Sequence, residues 1–213
     1  GSASPNATIN ANIPAATISA LTAGNHTVYV RAKDAAGNWS TAISATLLID
    51  RTAPTFTGIT LTPNAIPVGT ASITLTLNGA TDPLVSGLAS GVAGGEYWFG
   101  TTNPAPGGGT AFSGTSVNIP TSSFTPGTYT VRARIRDVAG NWSTGTGSTT
   151  FRVSYPVYFS TFGNTNPPGL GGTADDADVY FWSGASFSRE FDATAFGLPA
   201  GTNVDGFDRV DST

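Results

Sequence analysis

Two stretches of the chain, Gly24–Thr41 and Gly127–Thr144, are written on one template 103 residues apart. The second reads Gly-Thr-Tyr-Thr-Val-Arg-Ala-Arg-Ile-Arg-Asp-Val-Ala-Gly-Asn-Trp-Ser-Thr; the first ends in the same Ala-Gly-Asn-Trp-Ser-Thr. In the second copy Tyr129, Val131, Ala133 and Ile135 alternate with Thr130, Arg132, Arg134 and Arg136. Successive side chains on a strand point to opposite faces, so this period of two predicts a half-buried strand. Asp137, Gly140 and Asn141, like Asp34, Gly37 and Asn38, then supply turn chemistry before a second strand. The spacing is the length of one β-sandwich domain, and a repeated hairpin speaks to architecture more than to chemistry.

The remaining residues agree with an all-β chain. Only 10% of the 213 residues are charged, and Thr, Val, Ile and aromatics stand between frequent Gly and Pro. No stretch of ten or more residues carries a helical apolar period. The absence of Cys excludes disulfides and thiolate metal sites. Net charge is −4, with seven basic and five acidic residues up to Ser154 but two basic and eight acidic from Tyr155 onward. Nucleic acid is thereby disfavoured as a partner, since it needs a cationic patch. No apolar run approaches the roughly 20 residues of a membrane span. The opening Gly1-Ser2 reads as a cloning remnant, and the chain as an excised piece.

Taken in order, residues 1–50 read as the second half of a sandwich domain. Strands are expected at 7–13 (with Ile9 and Ile13 on one face), 27–33 and 40–49, where a complete sandwich needs about seven. Such a half-domain exposes an apolar face, and either a missing part or another chain would complete it. Asp50 to Pro54 form a short linker, stiffened because Pro54 fixes its own φ and holds Ala53 extended. Residues 51–154 hold a full set of strands, expected at 56–61, 71–77, 96–100, 117–120, 129–136 and 148–153, with a turn at 63–69 and loops at 79–95 and 101–109. Residues 155–213 form a separate acidic β module that stops where another strand is expected, with strands at 155–162, 179–182 and 187–191.

Phe124-Thr-Pro-Gly-Thr-Tyr129, followed by the alternating strand and Asp137-Val-Ala-Gly-Asn-Trp-Ser143, resembles bacterial immunoglobulin-like and fibronectin type III-like repeats of extracellular surface proteins. Thr81-Asp82, Ser90-Gly91-Val92, Glu96-Tyr97 and the Asp50-x-x-Ala53-Pro54 linker resemble the same family, and the resemblance covers residues 1–154. It implies immunoglobulin-like sandwiches and an extracellular or cell-surface location. It also implies that a Tyr at the start of the alternating strand bonds back to the backbone across a corner. Tyr129 stands there, and His26 in the first copy. The final segment resembles a C-terminal module of unknown function found in predicted secreted bacterial proteins.

Several residues are candidates for chemistry. Asp175, Asp176 and Asp178 crowd three carboxylates into four residues, which repel unless solvated or neutralised by a cation such as calcium; Asp205, Asp208 and Asp211 form a second group. The turn residues Asp34/Gly37/Asn38 and Asp137/Gly140/Asn141 offer calcium oxygens near domain junctions or serve only the turn. Asp82 and Glu96 either converge on a cation or, for Glu96, face solvent. Trp98 and Trp182 are the candidate carbohydrate platforms, whereas Trp39 and Trp142, identical in both copies, read as packing residues. Asn38-Trp-Ser40 and Asn141-Trp-Ser143 match the glycosylation sequon by coincidence of the turn. His26 is the single His and falls on a structural corner, so no nucleophile–base constellation supports an enzyme. The expectation is an extracellular spacer whose partners are neighbouring domains or copies of itself. The alternatives are an adhesin module for carbohydrate or another partner, and a filament subunit completed by strand exchange.

Overall fold

A computed structural model describes residues 10–85, 87–174, 177–184, 186–199 and 202. The first element is a short helix, α1 (Ala15–Ala20), in place of the strand expected at 7–13: residues 10–13 form no strand, and the rest of that stretch, Ile9 included, lies outside the described residues. Pro14, with φ −56° and ψ 140°, sits where the chain enters the helix, and the alanine-rich stretch after it favours helix over strand. Two antiparallel strands follow, β1 (Gly24–Val30) and β2 (Ile43–Ile49), so among the described residues the first unit has two of the three expected strands.

The central unit contains β3 (Gly58–Thr62), β4 (Ala65–Pro67), β5 (Ser72–Asn78), β6 (Val92–Phe99), β7 (Thr110–Ser113), β8 (Ser116–Pro120), β9 (Gly127–Asp137) and β10 (Gly147–Ser154). They form a three-stranded sheet, β3-β5-β8, and a five-stranded sheet, β4-β10-β9-β6-β7. The alternating residues Ile73, Leu75 and Leu77 of β5 face Val131, Ala133 and Ile135 of β9 in one core, joined by Ile119, Phe151 and Val153. Full burial of each such side chain contributes roughly 1.5–3 kcal/mol. Two strands escaped the sequence pattern. β4 lies inside the expected turn and pairs in parallel with β10, and β7 lies at the end of a Gly/Pro loop on the edge of the sheet. Each has only three or four residues, too few to show a period.

The two units carry one hairpin in two settings. His26, Val28 and Val30 oppose Leu47, Ala45 and Ile43, just as Tyr129, Val131 and Ala133 oppose Phe151, Thr149 and Gly147. In the central unit that face lies under the three-stranded sheet, and β9 and β10 are flanked by β6 and β4. Among the described residues nothing covers it in the first unit, where Val30 is 55% and Ile43 72% exposed.

The last sheet, β11 (Val157–Phe159), β12 (Val179–Trp182) and β13 (Phe187–Phe191), is antiparallel in that order. The strand expected at 155–162 shortens to three residues, while the other two match their expected bounds. Ser154 Oγ at the end of β10 donates to Gly184 O at 3.2 Å and ties this sheet to the central unit. Among the described residues no helix is long and apolar enough to cross a membrane.

Candidate functional site: a carboxylate junction at the linker

The repeated turn makes the same bonds twice. Asn38 donates its N–H and Nδ2 to the two oxygens of Asp34 at 2.8 and 2.9 Å; Asn141 does so to Asp137 at 2.7 Å each. Gly37 and Gly140 both have φ of 99°, a conformation in which a Cβ is strained. The Trp that follows lies beside two cations that precede the turn, Arg31 and Lys33 at Trp39, Arg134 and Arg136 at Trp142. The corner is shared too: Tyr129 Oη donates to Thr125 O at 2.8 Å, and His26 Nε2 meets Thr22 O at 2.8 Å, four residues upstream in each case. Since a carbonyl only accepts, His26 Nε2 carries the hydrogen of this bond.

The settings differ. Asp34 and its turn are exposed, whereas Asp137 is fully buried because its turn lies against the linker and the 79–91 loop. Val138 N–H donates to Gly91 O, Ala139 N–H to Ser90 Oγ, and Asn141 Nδ2 to the Asp50 carbonyl at 3.1 Å. Asp50 closes the arrangement: its carboxylate accepts from Thr52 N–H at 2.9 Å within the linker and from Ser90 N–H at 2.8 Å in the loop. Asp82 accepts from Gly91 N–H at 2.7 Å and from Ser90 Oγ at 3.3 Å. On the other side of the linker, Arg51 Nη2 donates to the carbonyls of Ile18, Ser19 and Leu21 at and just past the end of α1.

Asp50, Asp82 and Asp137 thereby bring one carboxylate oxygen each to within 4.8 Å of one another. Calcium–oxygen distances of about 2.3–2.6 Å place oxygens on opposite sides of one ion up to about 5 Å apart, so this spacing fits a single Ca²⁺. Asp82 Oδ1 is buried and accepts no hydrogen bond, which leaves it a lone pair to donate. Burial pushes the Asp50 carboxyl up, but the hydrogen bonds from Thr52 N–H and Ser90 outweigh it and hold it below the ordinary value. A lowered folded-state value means that the carboxylate's contribution to the junction is present above the ordinary aspartate range, near 3.9. It is lost as pH falls through the folded value.

Other candidates fall elsewhere. Glu96 neither joins Asp82 on a cation nor faces solvent. It is fully buried, 2.7 Å from Arg134 Nε in an ion pair poorly aligned for a hydrogen bond, and accepts from Gly107 and Gly109 N–H. Trp98 is no open sugar platform: it is 8% exposed, with the Arg134 guanidinium 4.8 Å from its ring centre. Trp182 is half-buried, its ring 4.4 Å from that of Phe187. Asp178 is not a solvated loop acid. It is fully buried, with Arg189 Nε at 3.3 Å and hydrogen bonds from Tyr180 Oη and Ala193 N–H. Burial first, and Asp178 second, push the Tyr180 phenol above its ordinary value. Asp175, Asp176, Asp205, Asp208 and Asp211 lie outside the described residues. Asp50 entered the sequence reading only as part of the linker; its one local signal is Thr52 two residues on, the spacing of an Asx turn.

No family model matches the chain, and a search of curated proteins finds no match.

Proposed function

We propose that the chain is a structural spacer from a large extracellular or cell-surface bacterial protein, built of immunoglobulin-like repeats joined by a stiffened linker. The observation that carries this reading is the junction. Asp50 bonds at once to its own linker, to the 79–91 loop and, through its carbonyl, to the repeated turn. Arg51 beside it bonds the carbonyls at the end of α1, and bonds made on both sides of a joint restrict bending, which is what an element that sets a distance requires. A divalent cation on Asp50, Asp82 and Asp137 would tighten the same joint by neutralising three crowded carboxylates.

The test is small-angle scattering and thermal melting of the chain and of Asp50→Ala, with calcium or with chelator. A narrow distribution of molecular lengths that broadens in Asp50→Ala supports the spacer; an equally broad distribution in both overturns it. For the cation, a melting temperature that rises with calcium and stays put in Asp82→Asn is expected; no rise in the parent chain removes calcium from the account.

The bare face of β1 and β2 favours a second reading, in which strands of another chain complete the first unit and link copies into a filament. Assembly seen by electron microscopy supports it, and a monomer at all concentrations sinks it.

A further inference from the structure

The outward face of the five-stranded sheet carries a cleft of about 460 Å³, within the range of small-ligand sites. Its construction follows from strand register. β9 presents Arg132, Arg134 and Arg136 in a row, and these pair across the ladder with Trp98, Glu96 and Gly94 of β6. Over the first two positions the 101–109 loop folds back: Asn103 Oδ1 accepts from Arg132, the Pro104 carbonyl from Arg134, and Glu96 receives the Gly107 and Gly109 N–H groups. The third position lies in the open cleft, whose lining includes Gly107 of the same loop. Gly94 and Gly95 make a floor without side chains, Ala111 and Ser113 of the edge strand form one wall, and Arg136 and Trp142 the other.

The charges of this cleft do not cancel. Glu96 is buried and taken by Arg134, which sits under the loop. Arg136 is exposed and has no carboxylate or hydrogen-bond acceptor among the described residues; its guanidinium lies 5.7 Å from the centre of the Trp142 ring. A guanidinium without an acceptor recognises a carboxylate bidentately, and an indole wall takes the apolar face of a sugar ring. A floor of glycine backbone, bulged at Gly94, leaves room for a ring in a cleft open to solvent at a sheet edge. We propose that this cleft binds an acidic saccharide of the uronic-acid class, with Arg136 on the carboxylate and Trp142 against the ring. The site is independent of the spacer reading, since it shares no residue with the Asp50 junction.

The probe is tetragalacturonate, titrated calorimetrically into the full chain beside its methyl-esterified, neutral counterpart and an acidic tetrapeptide. Tetragalacturonate is expected to bind at least tenfold more tightly than either, and its affinity to fall as salt rises. Arg136→Ala and Ala111→Glu should each weaken it at least tenfold: the first removes the cation, the second sets a like charge in the cleft from an exposed edge position. Arg152→Ala, on β10 away from the cleft, should leave it unchanged. Both cleft variants change exposed positions, and their melting curves will show that the fold survives. No binding by the parent chain at millimolar probe overturns the proposal, as does an affinity equal in parent and Arg136→Ala. Equal binding of the tetrapeptide overturns the saccharide class.

Discussion

Phe151→Ala is expected to destabilise the central unit by about 3–5 kcal/mol, whereas Leu47→Ala, at the same place in the repeated hairpin, costs about 1 kcal/mol or less. Phe151 is 1% exposed and lies 5.3 Å from the Tyr129 ring and 5.5 Å from that of Phe124, beneath the three-stranded sheet. Truncation removes the transfer energy of a benzyl group and leaves a cavity that a close-packed core fills only in part. Leu47 opposes His26 as Phe151 opposes Tyr129, but it is only half-buried and no sheet lies over it, so its loss opens no cavity. Urea titrations of the two variants, followed by the fluorescence of the four Trp residues, measure the difference. A large loss from Leu47→Ala would mean that the first unit is covered in solution.

Arg134→Ala is expected to cost about 3–5 kcal/mol, because it leaves the Glu96 carboxylate buried without its cation. It also removes the donor to the Pro104 carbonyl and the guanidinium over Trp98, so the 101–109 loop loses its anchor on the sheet. Glu96→Gln together with Arg134→Met should recover part of that loss, since no lone charge stays inside and the Gln carbonyl still accepts from one of the Gly107 and Gly109 N–H groups, which Glu96 bonds with separate oxygens. A double-mutant cycle on thermal melts gives the coupling. Additive losses would show that the two side chains act independently despite their 2.7 Å separation.

The face carrying Arg132, Arg134 and Arg136 shows where a periodic pattern stops being informative. Alternation correctly assigns Val131, Ala133 and Ile135 to the core, each 0% exposed, and leaves the arginines for solvent. Arg134 is nevertheless buried, because a loop rich in Gly and Pro, which shows no period, doubles back over it. The same cause hid the function of Glu96 and misplaced Trp98 on an open surface. Short strands went unseen for a related reason: β4 exists because β10 offers it a parallel edge, and nothing within Ala65-Ile-Pro67 specifies that. The helix at Ala15–Ala20 was legible in principle, from a Pro followed by helix-forming alanine, but one turn and a half is below the length at which apolar periodicity speaks.

The hairpin template itself was specified locally. Its alternation, the Gly at positive φ, the Asp that bonds the Asn four residues on and the corner bond of Tyr129 or His26 all lie within eighteen residues, so two copies far apart in the chain fold alike. What each copy does was decided by its neighbours in space. One template gives an exposed turn at Asp34 and, where Asp50 and Asp82 approach it, a buried three-carboxylate junction at Asp137. One strand pair gives a covered core at Val131 and an exposed face at Val30 and Ile43. Local bonds are made within a few residues and can be read from them; burial and convergence depend on chain contributed from 40 to 91 positions away, as in the bonds of Asp50 to Ser90 and Asn141, and only the folded arrangement supplies it.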